Sequence, residues 1–212
     1  MEFEELLRLV GDEPLFESAF LLAGAVNPDR LRLQLTRWKN AGRIYQLRRG
    51  LYALAPPYQK IRPHPFVVAN RLVRASYVSC QSALAFYGLI PEQVLRVTSV
   101  TGRRPGSWET PLGSYQFQHI KPALLRGYQS VDLADRQQAR VARPEKALLD
   151  LVYLQPQGDS AAYLEALRLQ NLDLLDLDEL HQQVDRFGTP KIQRAAERIL
   201  RSIEHERDYE TL

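Results

Sequence analysis

Apolar residues recur every three or four positions at Phe3, Leu6, Leu7 and Val10 before Gly11 interrupts them, so the chain opens on a short helix. The same periodicity predicts a second helix from about Leu15 to Leu22. "AGAV" then supplies a turn in which Gly24 can take a positive φ. Asn27, Pro28 and Asp29 form a start signal: a side-chain acceptor, a ring preset for the first helical position and a carboxylate at the positive end of the dipole. The third helix that follows carries Leu31, Leu35 and Trp38 on one narrow stripe, and Gly42 closes it. "RIYQL" and "LYALA" alternate as two strands joined through Arg48, Arg49 and Gly50.

Four prolines in "PPYQKIRPHP" predict an extended linker, which divides the chain into a module over 1–56, a linker over 57–65 and a body over 66–212. In the body, "NRLVRASYVSCQSALAFYGLI" reads as helix, break and helix, with Ser76 or Ser79 as the cap. "QVLRVTSVT" and "SYQFQHI" alternate as strands, expected to pair as a hairpin across a loop formed by "GRRPGSWETPLG". "YQSVDL" and "QARVA" are further short strands, and Pro144 opens the helix "PEKALLDLVYL". Helices near Ser160–Leu169, Asp178–Phe187 and Pro190–Glu206 follow. Thr189 caps the last, which buries Ile192, Ala195, Ala196, Ile199 and Ile203. The fold class is therefore α+β: a module in the element order of a winged helix-turn-helix, then a mixed α/β domain ending in helices.

Charge changes the picture. The chain of 212 residues has a net charge of only +3, but between Asn27 and Arg62 nine Lys and Arg stand against Asp29 alone. That segment has the charge expected of a polyanion contact. On the third helix, Asp29, Leu33, Thr36, Arg37 and Asn40 oppose the apolar stripe, with Arg32 and Lys39 on one flank. In a winged helix-turn-helix the third helix enters the major groove of double-stranded DNA and the hairpin tip reaches the phosphates. The residues expected at that contact are Arg32, Thr36, Arg37, Lys39 and Asn40, with Arg43 at the helix end and Arg48 and Arg49 in the wing. Arg37 suits guanine and Asn40 adenine, Leu33 could meet a thymine methyl, and the others position the protein.

Candidate chemistry elsewhere is sparse. Cys80 is the only cysteine, set among apolar and small residues, and reads as a buried inert thiol. No signal-peptide pattern and no apolar run long enough for a bilayer occur, so a cytoplasmic protein that does not engage the membrane is expected. The four histidines lack ligand spacing, and neither a phosphate loop nor a dinucleotide fingerprint is present. Asp132, Asp135, Glu145 and Lys146 have the residue types of a metal-dependent nuclease. Adjacent Glu145 and Lys146 diverge, however, and Lys146 with Asp150 makes an i, i+4 pair, so neither catalysis nor a cofactor is expected. Arg103, Arg104 and Trp108 remain as polar candidates in the body.

"AGRIYQLRRGLYAL", "SYVSCQSALAFYGLIPE", "TPLGSYQFQHI" and "ARPEKALLDLVYL" resemble, in order, successive signatures of the AbiEi family, the antitoxins of bacterial type IV toxin-antitoxin systems of the abortive-infection class. The resemblance implies a winged N-terminal domain that represses the protein's own operon at inverted repeats. It also implies a C-terminal domain that counters a nucleotidyltransferase-like toxin without a stable complex with it. Two other classes stay open: a free-standing regulator whose C-terminal domain senses a small molecule, and a nucleic-acid enzyme.

Overall fold

The computed structural model describes residues 1–22 and 27–210, so the turn expected around Gly24 lies outside the described residues. The fold is mixed α and β, with nine α-helices and two sheets among these residues. The N-terminal part runs α1 (Phe3–Val10), β1 (Phe16–Glu17), α2 (Ser18–Leu21), α3 (Pro28–Asn40), β2 (Ile44–Arg48) and β3 (Leu51–Leu54). Its three strands form an antiparallel sheet in the order β1-β3-β2.

The helix expected over Leu15–Leu22 is shorter than its periodicity suggests. Phe16 and Glu17 instead pair with Tyr52 and Leu51, and the Phe16 ring stacks on Tyr52 with centroids 5.7 Å apart. Strand pairing and ring burial outweigh local helical spacing, leaving one helical turn.

All four residues of β3 are buried, and their alternation serves two cores. Tyr52 and Leu54 face the core that α1 and α3 build from Phe3, Leu6, Leu31, Leu35 and Trp38, whereas Leu51 and Ala53 belong to the core of the body. The 57–65 segment is ordered by contacts at both ends. The Tyr58 ring meets the Phe3 ring edge-on at 4.8 Å; at the other end, the Gln137 carboxamide donates to the Arg62 carbonyl and accepts from the His64 amide.

The body runs α4 (Pro65–Leu72), β4 (Ser76–Val78), α5 (Cys80–Phe86), β5 (Arg96–Thr101), β6 (Gly106–Thr110), β7 (Gly113–His119), β8 (Tyr128–Asp132), β9 (Gln138–Ala142), α6 (Pro144–Leu154), α7 (Ala161–Ala166), α8 (Leu177–Phe187) and α9 (Pro190–Glu210). Its six strands take the order β6-β7-β5-β4-β9-β8. Three expectations are corrected. The break between α4 and α5 is a strand near the middle of the sheet. The "GRRPGSWETPLG" segment contains β6, paired antiparallel with β7. The strands β5 and β7 are parallel, Val97 beside Tyr115 and Ser99 beside Phe117, rather than a hairpin. Inserting β6 at the edge makes this possible, because the chain reverses twice before returning to β5.

Candidate nucleic-acid interface

The stripe Leu31, Leu35 and Trp38 anchors α3, and both helix ends are closed as their residues dictate. The Asn27 Oδ1 accepts hydrogen bonds from the amides of Asp29 at 3.0 Å and Arg30 at 3.1 Å. At the other end Gly42 takes φ +68°, its amide donating to the Lys39 carbonyl while the Arg43 amide donates to Trp38. Two orphan carbonyls are thereby satisfied in a left-handed cap that a side chain would strain.

The opposite face is left to solvent. Arg32, Leu33, Thr36, Arg37, Lys39 and Asn40 are all exposed. The Arg32 guanidinium lies 3.0 Å from Asp29, but both side chains are largely in water, so the pair is weak and a phosphate can displace the carboxylate. Thr36 donates its hydroxyl to the Arg32 carbonyl at 2.9 Å, which fixes its rotamer and keeps its oxygen lone pairs outward. Among the described residues, Arg37, Lys39 and Asn40 make no side-chain hydrogen bond or ion pair. Arg43 lies half-buried over the Phe3 ring at 4.9 Å, beside the end of α3.

The hairpin end divides its two arginines. Arg49 is exposed at the tip. Arg48 turns towards the body, with Nε and Nη2 donating to the Arg71 carbonyl at 3.3 and 3.1 Å and the guanidinium 3.6 Å from Glu17. Glu17 also receives Arg74 at 2.6 Å and Arg71 at 3.9 Å, so one carboxylate gathers three arginines where module and body meet. The structure therefore groups six of the expected residues on or beside α3, leaves Arg49 at the hairpin tip and places Arg48 in this junction.

The body's polar candidates are dispersed. The Glu145 Oε1 accepts from the Asp176 amide at 2.8 Å, Asp132 accepts from Gln138, and among the described residues no three His, Cys, Asp or Glu converge as metal ligands. Arg103 and Arg104 are exposed, and Trp108 packs edge-on against Phe117 at 5.0 Å.

Sequence reasoning did not anticipate a buried polar network beneath α5. Asp150, 0% exposed, accepts from the Ser79 hydroxyl at 2.7 Å, the Tyr77 hydroxyl at 3.1 Å and the Lys146 ammonium. Ser79 sits at the N-cap position of α5, but its hydroxyl is committed to Asp150; Ser76 lies in β4 and donates to Val73. Burial pushes the Asp150 carboxyl up and the Lys146 ammonium down, and each charge opposes the other's shift. Lys146 also lies 4.8 Å from the centre of the Phe187 ring. With Ser79, Tyr77 and Lys146 all donating to one carboxylate and solvent excluded, the network has the character of a structural tie. Cys80 beside it is buried, and desolvation pushes its thiol well above the ordinary range, as an inert thiol requires.

Compared with known proteins, the chain matches no family model and no curated protein sequence. No helix among the described residues is long and apolar enough to cross a membrane.

Proposed function

We propose that the protein is a DNA-binding repressor of the AbiEi type, which occupies inverted repeats upstream of its own gene and counters a nucleotidyltransferase-like toxin. The observation that carries the DNA-binding part is the solvent face of α3. Arg32, Thr36, Arg37, Lys39 and Asn40 project from a helix capped at both ends, and among the described residues Arg37, Lys39 and Asn40 have no side-chain partner. The order helix, strand, helix, helix and hairpin, with the first strand paired to the last in a β1-β3-β2 sheet, supports a winged helix-turn-helix. Arg37 and Asn40 read base edges; Arg32, Lys39, Arg43 and Arg49 position the helix on phosphates. Arg48 holds the hairpin against the body. The antitoxin part rests on the family signatures in the body, and the protein acts by binding rather than catalysis.

The decisive experiment is a salt titration of binding to the protein's own upstream DNA and to scrambled DNA of equal length. The reading expects at least about a hundredfold preference for the upstream fragment, with both affinities falling steeply as salt rises. Absence of binding to either near physiological salt overturns it. Protection from a toxin encoded beside the gene is then assayed in cells, where loss of growth despite co-expression removes the antitoxin part.

A further inference from the structure

The body carries a groove of about 620 Å³ that the DNA-binding reading does not use. Its floor is one face of the parallel pair β5 and β7, where Thr98 lies beside Gln116 and Gln118 follows on the same side. Gln81 enters from α5, Gln93 from the segment after it and Gln155 from the end of α6. Apolar walls come from Ile90, Leu151, Leu154 and Leu167. The size is that of a small-molecule site, and the lining is shared between aliphatic walls and polar side chains.

The glutamines distinguish this groove. Of sixteen in the chain, seven engage their carboxamides in hydrogen bonds among the described residues: Gln59, Gln129, Gln137, Gln138, Gln170, Gln182 and Gln183. Nine do not, and five of these nine line this one groove. Each carboxamide presents two donors and one acceptor oxygen from a planar group.

Charge narrows the ligand class. Only Glu92 and Arg96 bring charge to the lining, and both have partners, Arg168 at 3.9 Å and Glu109 at 3.7 Å. Arg96 and Glu92 offset each other, so the lining has no net positive charge to hold a phosphate or carboxylate, and a nucleic-acid strand would lack the electropositive track it needs. A neutral, flat ligand with alternating donors and acceptors along its edge suits both the carboxamides and the aliphatic walls, as glutamine meets adenine through paired hydrogen bonds. We propose that this groove binds a free nucleobase or nucleoside, with Gln116 and Gln118 reading its edge.

Calorimetric titration of the full chain with adenosine, cytidine, uridine and inosine tests this. The expected result is saturable binding of at least one, with Kd below about 1 mM, weakened at least tenfold by joint Gln116→Leu and Gln118→Leu substitution in a protein of unchanged melting temperature. If that double variant melts early, Gln93→Leu, outside the sheet, takes its place with the same expected loss. No saturable heat from any of the four at about 5 mM overturns the proposal, as does binding that survives the substitutions. Tighter binding of the corresponding 5′-monophosphate also overturns it, because the ligand class was drawn from a lining without net positive charge. None of these results depends on DNA binding, so the two readings fail separately.

Discussion

Helices α3 and α6 use the same kinds of residue to opposite ends. Both begin on proline and both carry cations within a few positions of a carboxylate. In α3 the charged face is in water and its pairing is loose, so those charges remain available to a partner. In α6 Lys146 and Asp150 are sealed in the core and paired with each other, so their charges are consumed in holding β4, α5 and α6 together. A charged residue becomes an interaction residue or a structural one according to what covers it, and spacing alone does not say which.

Breaking the buried pair produces the largest effect. Asp150→Ala removes the acceptor of three donors and strands an ammonium in the core, so urea denaturation should show a loss of roughly 3–5 kcal/mol. A loss below about 1 kcal/mol would mean that water reaches the pair and that α6 resembles α3 after all. Arg37→Ala should do the converse: leave stability within about 0.5 kcal/mol while costing roughly 1–3 kcal/mol of operator binding and relaxing one base position. Equal losses on operator and scrambled DNA would demote Arg37 to a phosphate contact.

Between these lies Asn27→Ala, which should cost about 1 kcal/mol of stability through the lost cap on α3, visible as earlier thermal melting. A pH series sharpens the same point at α4, where the His64 Nδ1 accepts from the Phe66 amide and must therefore be neutral. Burial lowers the imidazole below its ordinary 6.5, so its contribution is complete above that pH and is lost as pH falls through the depressed value. His64→Asn keeps an acceptor at the cap, and its stability should be flat across that window. The smallest effect belongs to Arg49→Ala, expected to reduce the salt slope of DNA binding by about one ion and leave sequence preference intact.

The legible parts of the fold were those encoded locally. Asn27, Pro28 and Gly42 bound α3 by their own conformational preferences, and the stripe of α9 is long enough to show its period. What escaped was non-local. Phe16–Glu17 is a strand because Tyr52 and Leu51 complete it, and "SYV" at 76–78 is too short to declare itself between two helices. Likewise β6 is built from glycine, serine and tryptophan that read as loop until β7 supplies their hydrogen-bond partners. At the interface the exposure of α3 followed from its stripe, whereas the turning of Arg48 towards Arg71 depended on a body some twenty residues further on. The burial of Lys146 and Asp150 was equally hidden, since their i, i+4 spacing is that of a surface pair.

Strand β3, buried on both faces, has a consequence for modularity. A fragment ending at residue 56 would keep α3 and the side chains proposed to read bases, yet it would present Leu15, Leu47, Leu51 and Ala53 to water as a sticky plate. The N-terminal part is thus not a detachable cartridge. It is mortised into the body, and whatever shifts the body's core displaces the strand on which α1 and α3 rest.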